Sequence, residues 1–127
     1  MQIDTHQQNQ SKFIGLCSLI VQEKWNMQIL SQLIDQPKRY CEIEQGINQN
    51  KNIAHISPKI LSRRLKQLCL SEHISKQRFC TVPPSVQYNL TDKGEIYIPV
   101  LQAMIQVGKI IPEPEFIEDE FDLGLDH

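Results

Sequence analysis

The stretch Ser57–Cys69, SPKILSRRLKQLC, decides how this chain is read. Ser57 suits an N-cap, because its hydroxyl can accept from one of the backbone N–H groups left open where a helix starts. Pro58 suits the first helical position, where no N–H is required. Projected at about 100° per residue, Leu61, Leu65 and Leu68 fall on one face, and Lys59, Ser62, Arg63 and Lys66 fall on the opposite one. The leucines must be buried, so a basic, hydroxyl-bearing face is turned outward. Phosphates and guanine edges in a DNA major groove attract such a face. A merely solvated helix face is the competing reading, and the rest of the chain weighs between the two.

Charge is the first piece of context. The formal net charge of −2 over 127 residues conceals an asymmetry. Residues 112–127 hold seven acids and no Lys or Arg, which leaves 13 basic and 8 acidic residues in 1–111. From Pro37 to Arg78 the balance is nine basic to three acidic, so positive charge gathers around the probe helix, favouring a polyanionic partner. The composition, 40% hydrophobic and 22% charged, is that of an ordinary globular chain long enough for one core. No apolar run approaches the length of a bilayer span. The opening MQIDTHQQNQ has neither a basic leader nor an apolar signal core, so no membrane association and a cytoplasmic location are expected. Cys17, Cys41, Cys69 and Cys80 show no CxxC pairing and are expected as thiols.

The domain expectation is a flexible arm over 1–10, one folded domain over 11–111 and an acidic tail over 112–127. Phe13, Leu16, Cys17, Ile20 and Val21 recur at helical spacing. Trp25, Ile29, Leu30, Leu33 and Ile34 mark a second helix, ended by Asp35-Gln36-Pro37 because the residue before proline resists helical angles. Arg39-Tyr40-Cys41 reads as a short extended piece, Ile43 and Ile47 as the buried pair of a third helix, and Asn48–His55 as a polar loop. After Leu70 the period shifts towards two: ISKQRFCTV and SVQYNLT read as strands joined at Pro83-Pro84. Thr91 can cap a last helix carrying Ile96, Val100, Leu101, Met104, Ile105, Val107 and Ile111, with a kink at Pro99. That apolar band is wider than a terminal helix of a small domain needs, and with the first helix it reads as a dimer surface rather than completed monomer core. The tail PEPEFIEDEFDLGLDH reads as solvated chain; the sharper alternative is that it folds over the basic surface or docks on a partner.

Helix, helix, helix, basic helix, hairpin, helix is the winged helix-turn-helix order, mainly α with a small β-hairpin. Lys24-Trp25 before Ile29-Leu30, Lys38-Arg39-Tyr40, ISPKILSRRLKQL (56–68), VPPSVQYNLTDKG (82–94) and Ile98-Pro99-Val100-Leu101 occur in sequence. Over residues 20–108 the chain resembles the HxlR-type bacterial transcription regulators, a branch near the MarR regulators. The patterns IS-PK-x-L-S-x-R-L and P-x-V-x-Y-x-L-T-x-x-G carry the resemblance together. It implies a homodimer built through the N- and C-terminal helices, binding a two-fold related operator in double-stranded DNA, by family habit as a repressor. It places the recognition helix at 57–69. Ser57, Lys59, Ser62 and Arg63 would meet bases or phosphates and Lys66 the backbone. Arg64 would brace the fold or reach a phosphate from the side. Lys76 and Arg78 of the wing would lie along flanking phosphates or the minor groove, and Lys38 and Arg39 would clamp a phosphate.

The chain also departs from the family pattern. Asn48–His55 is about six residues longer than the usual link before the Ile-Ser pair, His73 stands where the turn into the wing commonly has glycine, and Val107 replaces a tryptophan before Gly108. The cysteine that many members place about thirteen residues before the tryptophan is Lys12 here, and the nearest thiol is Cys17. Cys17 is read first as a small buried hydrophobe and second as a candidate thiol sensor. Cys69 and His73, four apart, would share one face of a continued helix and, with Cys41 or Cys80, suggest a metal-responsive regulator; no compact ligand cluster supports it. No phosphate loop, nucleophile elbow or zinc-protease motif is present, so no enzyme and no cofactor are expected. The runner-up function is a winged-helix protein-interaction module that has lost operator binding. The operator, the regulated genes and any small-molecule or redox effector stay open.

Overall fold

The computed structural model describes residues 5–49 and 55–112, with side chains from residue 9 onward. Its elements run α1 (Thr5–Val21), α2 (Asn26–Gln32), α3 (Tyr40–Asn48), α4 (Pro58–Leu70), β1 (Ile74–Phe79), β2 (Ser85–Leu90), α5 (Asp92–Glu95) and α6 (Ile98–Gly108). The core lies where α2, α3 and α4 meet. Ile29, Leu30 and Leu33 enter it from the first of these, Ile43 and Ile47 from the second, and Leu61, Leu65 and Leu68 from the third. Ile56, Ile74 and Leu101 close its edges. Each buried leucine is held by dispersion contacts and by the cost of hydrating it, so truncation to alanine at Leu61, Leu65 or Leu68 costs about 2–5 kcal/mol.

Helix α4 starts as its sequence requires. The Ser57 hydroxyl accepts from the Ile60 N–H at 3.2 Å and Pro58 occupies the first turn. Ile56 and Leu61, flanking that cap, share the buried cluster in the positions of a hydrophobic staple. Helix α3 starts at Tyr40, not after an extended Arg39-Tyr40-Cys41, because Glu42 Oε1 accepts from the Arg39 N–H at 2.8 Å and draws the chain into its first turn. Extended backbone is confined to Lys38 and Arg39. Between α3 and α4 the Asn48 side chain clasps Ile56, accepting from its N–H at 2.8 Å and donating to its carbonyl at 3.2 Å. The long link is thus closed at its base, and Ile43 and Ile47 keep their place in the core; residues 50–54 lie outside the described residues.

The end of α4 shapes the entry to the wing. His73 N–H bonds to the Leu68 carbonyl and Glu72 N–H to the Cys69 carbonyl, both at 3.0 Å, the pair of bonds that defines a Schellman cap. The left-handed residue is Glu72, at φ 66°, so the position that favours glycine is Glu72 and not His73. The helix therefore ends at Leu70, and the shared helical face expected for Cys69 and His73 does not form. His73 is instead buried, with Nδ1 2.7 Å from the Ser71 hydroxyl and its ring against Tyr97.

Strands β1 and β2 pair antiparallel with Lys76 opposite Tyr88 and Arg78 opposite Val86. On its other edge β2 pairs with Lys38, whose N–H and carbonyl exchange bonds of 2.9 and 2.8 Å with Tyr88. The wing is thereby sewn to the segment ahead of α3. The Thr-x-x-Gly of the 82–94 stretch has a packing reason. Thr91 caps α5 by accepting from Gly94 N–H at 3.1 Å and donates to the Glu72 carbonyl, while a side chain on Gly94 would collide with the His73 carbonyl.

Two expectations change at the ends of the chain. The single kinked helix after Thr91 is two helices, because Pro99 falls in the first turn of α6, where its missing N–H costs nothing. Helix α1 begins at Thr5 and so takes in residues 5–10 of the stretch read as an arm; none of them is Pro or Gly, and the helix continues through them. Among the described residues no helix is long and apolar enough to cross a membrane. The acidic segment 113–127 lies outside the described residues.

Candidate nucleic-acid interface

With its leucine row seated in the core, α4 turns its other face to solvent. Lys59, Ser62, Arg63 and Lys66 are all exposed. None of the three cations is in an ion pair among the described residues; the single pair there joins Arg64 to Glu23 at 2.9 Å. Arg64 belongs to the flank of α4 that faces the α1–α2 turn. Its guanidinium also donates to Gln67 Oε1 at 2.7 Å, and its buried Nε has no partner. Of the two roles open to it in the sequence, bracing the fold is the one its contacts carry. Ser57 is exposed but its oxygen is engaged as the helix cap.

The opposite flank of α4 faces the wing. Lys76 and Arg78 are exposed on β1 two residues apart, hence on one face of the strand. Ser62 and Lys66 of α4 and Lys76 of β1 line a common cleft with Tyr40, Cys69 and Tyr88. Burial pushes the Cys69 thiol up from its ordinary pKa, with Lys76 pulling weakly the other way. Burial, then the neighbouring Cys69 and Tyr40, likewise raise Tyr88, which remains a neutral phenol. Tyr40 donates to the Pro58 carbonyl at 3.2 Å, tying the start of α3 to the start of α4. Tyr40 and Tyr88 were not among the site residues expected from charge; their one signal was a hydroxyl-bearing aromatic at fixed places in the two motifs.

Arg39 is exposed at the N-cap of α3. Lys38 is half-buried and its ammonium turns back to Gln32 Oε1 at 3.4 Å, so its backbone serves the wing while its side chain reaches α2. Cys17 stands apart from all of these, half-buried on α1 on the side of Tyr97. The four cysteines are free thiols, and no group of three metal-ligating side chains occurs among the described residues.

A helical core that displays one basic helix beside a two-stranded wing defines a winged helix-turn-helix DNA-binding protein of the transcription-regulator class. The chain belongs to the HxlR-like helix-turn-helix family, whose sequence pattern matches residues 20–115. It is 32% identical over 104 residues to the HTH-type transcriptional regulator YkvN of Bacillus subtilis, covering 82% of this chain and 83% of YkvN. A MarR-family transcriptional regulator from Porphyromonas gingivalis W83 superposes with a TM-score of 0.66 at 31% identity, over 76% of this chain and 88% of that one. The reduced form of YodB from Bacillus subtilis gives 0.59 at 31% identity, over 90% and 98% respectively.

Proposed function

We propose that the protein is a homodimeric transcription repressor that binds a two-fold related operator through α4 and the wing. The observation that carries this reading is the cationic face of α4, Lys59, Arg63 and Lys66, which has no ion pair among the described residues and stands opposite a buried leucine row. Lys59, Ser62 and Arg63 meet base edges or phosphates in the major groove, with Ser57 at the helix start. Lys66, Lys76 and Arg78 meet the backbone, and Arg39 together with the Lys38 segment flanks it. Dimerisation is supported by the apolar surface of α1 and α6 and of the residues just after α6, where Phe13, Ile14, Leu16, Leu19, Val107, Ile110 and Ile111 are each more than half exposed. Two recognition helices related by a dimer axis reach half-sites about 34–36 Å apart.

A mobility shift on the promoter of its own or the adjacent gene, run at several salt concentrations, tests the reading. Replacing Lys66 weakens binding to every sequence and lowers the salt slope by up to about one per half-site. Replacing Arg63 relaxes base preference if it meets a guanine; an unchanged sequence profile assigns it to phosphate. Salt-independent or absent binding leaves the protein-interaction module as the surviving reading, using the same exposed apolar surface.

A thiol-responsive form of the repressor falls on Cys17, the one of the four thiols that sits on a helix of the proposed dimer surface. YodB, a relative 38% identical over 82 residues, has been solved after diamide treatment. Diamide-dependent release from DNA that persists in Cys17→Ser removes Cys17 as the switch.

A further inference from the structure

The cleft between α4 and the wing, about 420 Å³, has a lining whose chemistry is one-sided. Lys66 and Ser62 enter from α4, Lys76 and Tyr88 from the paired strands, and Cys69 lies alongside them. Lys76 and Tyr88 are directly opposite in the hairpin register, so their side chains leave the sheet on the same face. Among the described residues no carboxylate lines the cleft. Tyr40, also at its wall, has its hydroxyl proton committed to the Pro58 carbonyl. The ammonium groups of Lys66 and Lys76 and the hydroxyls of Ser62 and Tyr88 have no hydrogen-bond or ion-pair partner among the described residues. Two cations and two hydroxyl donors therefore line one space with no partner among the described residues.

We infer that this cleft seats a single phosphate, a backbone phosphodiester of duplex DNA, between Lys66 and Lys76 with the Tyr88 and Ser62 hydroxyls donating to its oxygens. The inference rests on the DNA-binding reading and narrows it: the helix lysine and the wing lysine hold the same phosphate rather than two separate ones. Duplex DNA is the source because Ser62 and Lys66 share their helix face with Lys59 and Arg63. A duplex laid along that face carries its backbone past the mouth of the cleft. The Cys69 thiol, held neutral by burial, sets no negative charge against the phosphate, and the Tyr88 phenol keeps the proton it donates.

The test is fluorescence anisotropy with a defined random-sequence duplex at several salt concentrations, since a phosphate contact is blind to sequence. The variants are Tyr88→Phe, Lys66→Gln, Lys76→Gln and the double lysine variant, each checked for an unchanged thermal midpoint. Tyr88→Phe keeps the ring and removes only the donor. It is expected to weaken binding about tenfold, as for a hydrogen bond to a charged group, with the salt slope unchanged because no charge is lost. Because either lysine still neutralises the phosphate, each single variant lowers the slope by less than one unit per half-site, and the double variant loses about one unit rather than two. Affinity for Tyr88→Phe within about twofold of the parent, or a double variant that loses about two slope units per half-site, overturns the shared-phosphate cleft while leaving DNA binding by α4 intact. A parent protein with no salt-dependent duplex binding overturns both, and is recognised before any variant is made.

Discussion

Glu72 sits at a backbone position that an L-residue enters at a cost of about 1–2 kcal/mol. Two bonds of the helix cap hold it there, together with the Thr91 hydroxyl on its carbonyl. Glycine at this position removes the Cβ conflict but adds freedom to the unfolded chain. Glu72→Gly is therefore expected to raise stability by a net of about 0.5–1 kcal/mol, read as a higher urea midpoint with the same slope. Gly94→Ala goes the other way, costing about 1–3 kcal/mol, because the new methyl meets the His73 carbonyl and backbone has to move. His73 itself gives a pH dependence. Burial, and next the charge of Lys93, hold its pKa below the ordinary 6.5, so the unfolded chain takes up a proton before the folded one does. The neutral ring's contribution is whole above that value and is lost as pH falls from it towards the depressed folded pKa. The thermal midpoint should drop across that window and should drop less in His73→Gln.

At the scale of elements, α4 works as a rod with three different sides. Its leucine row is fastened into the core, one flank is tied through Arg64 to Glu23 at the α1–α2 turn, and the other borders the wing cleft. The Arg64–Glu23 pair is well exposed on the Glu23 side, so solvent screens it. Glu23→Gln should cost no more than about 1 kcal/mol and leave the DNA salt slope unchanged. Arg64→Ala should cost more stability than that, since it also loses the Gln67 bond and the packing of its stem. A loss of salt slope in Arg64→Ala matching that of Lys66 would move Arg64 to the DNA face. The wing is a short hairpin tied to the segment ahead of α3 by Lys38, which pairs with the outer edge of β2, and β2 is half-covered along its length.

For the whole molecule, the core of one chain leaves apolar residues on both α1 and α6 uncovered, with Leu16 54% and Val107 56% exposed. A second copy burying that set accounts for it without any change in the fold of the single chain. Leu16→Glu with Val107→Glu should therefore give a folded monomer with unchanged helix content, measured by sedimentation and circular dichroism. Its operator affinity should fall by the loss of the second half-site. A variant that stays dimeric assigns the apolar faces to another partner.

Much of this was legible in the order of residues, because the signals are local. The cap Ser57-Pro58, the leucines of α4 at helical spacing and the period-two run after Leu70 each depend on neighbours within a few positions, and each element formed where its pattern lay. The cationic face of α4 followed from the same spacing once burial of the leucines was required. What tertiary structure alone decided are pairings between residues far apart in the chain, on which no local period bears. Lys38 with Tyr88, Arg64 with Glu23 and the closing of the Asn48–Ile56 clasp are of that kind. So is part of what holds the glycine-favouring position at Glu72 rather than His73, because the Thr91 hydroxyl meets the Glu72 carbonyl and the Tyr97 ring meets His73 from about twenty residues further along the chain.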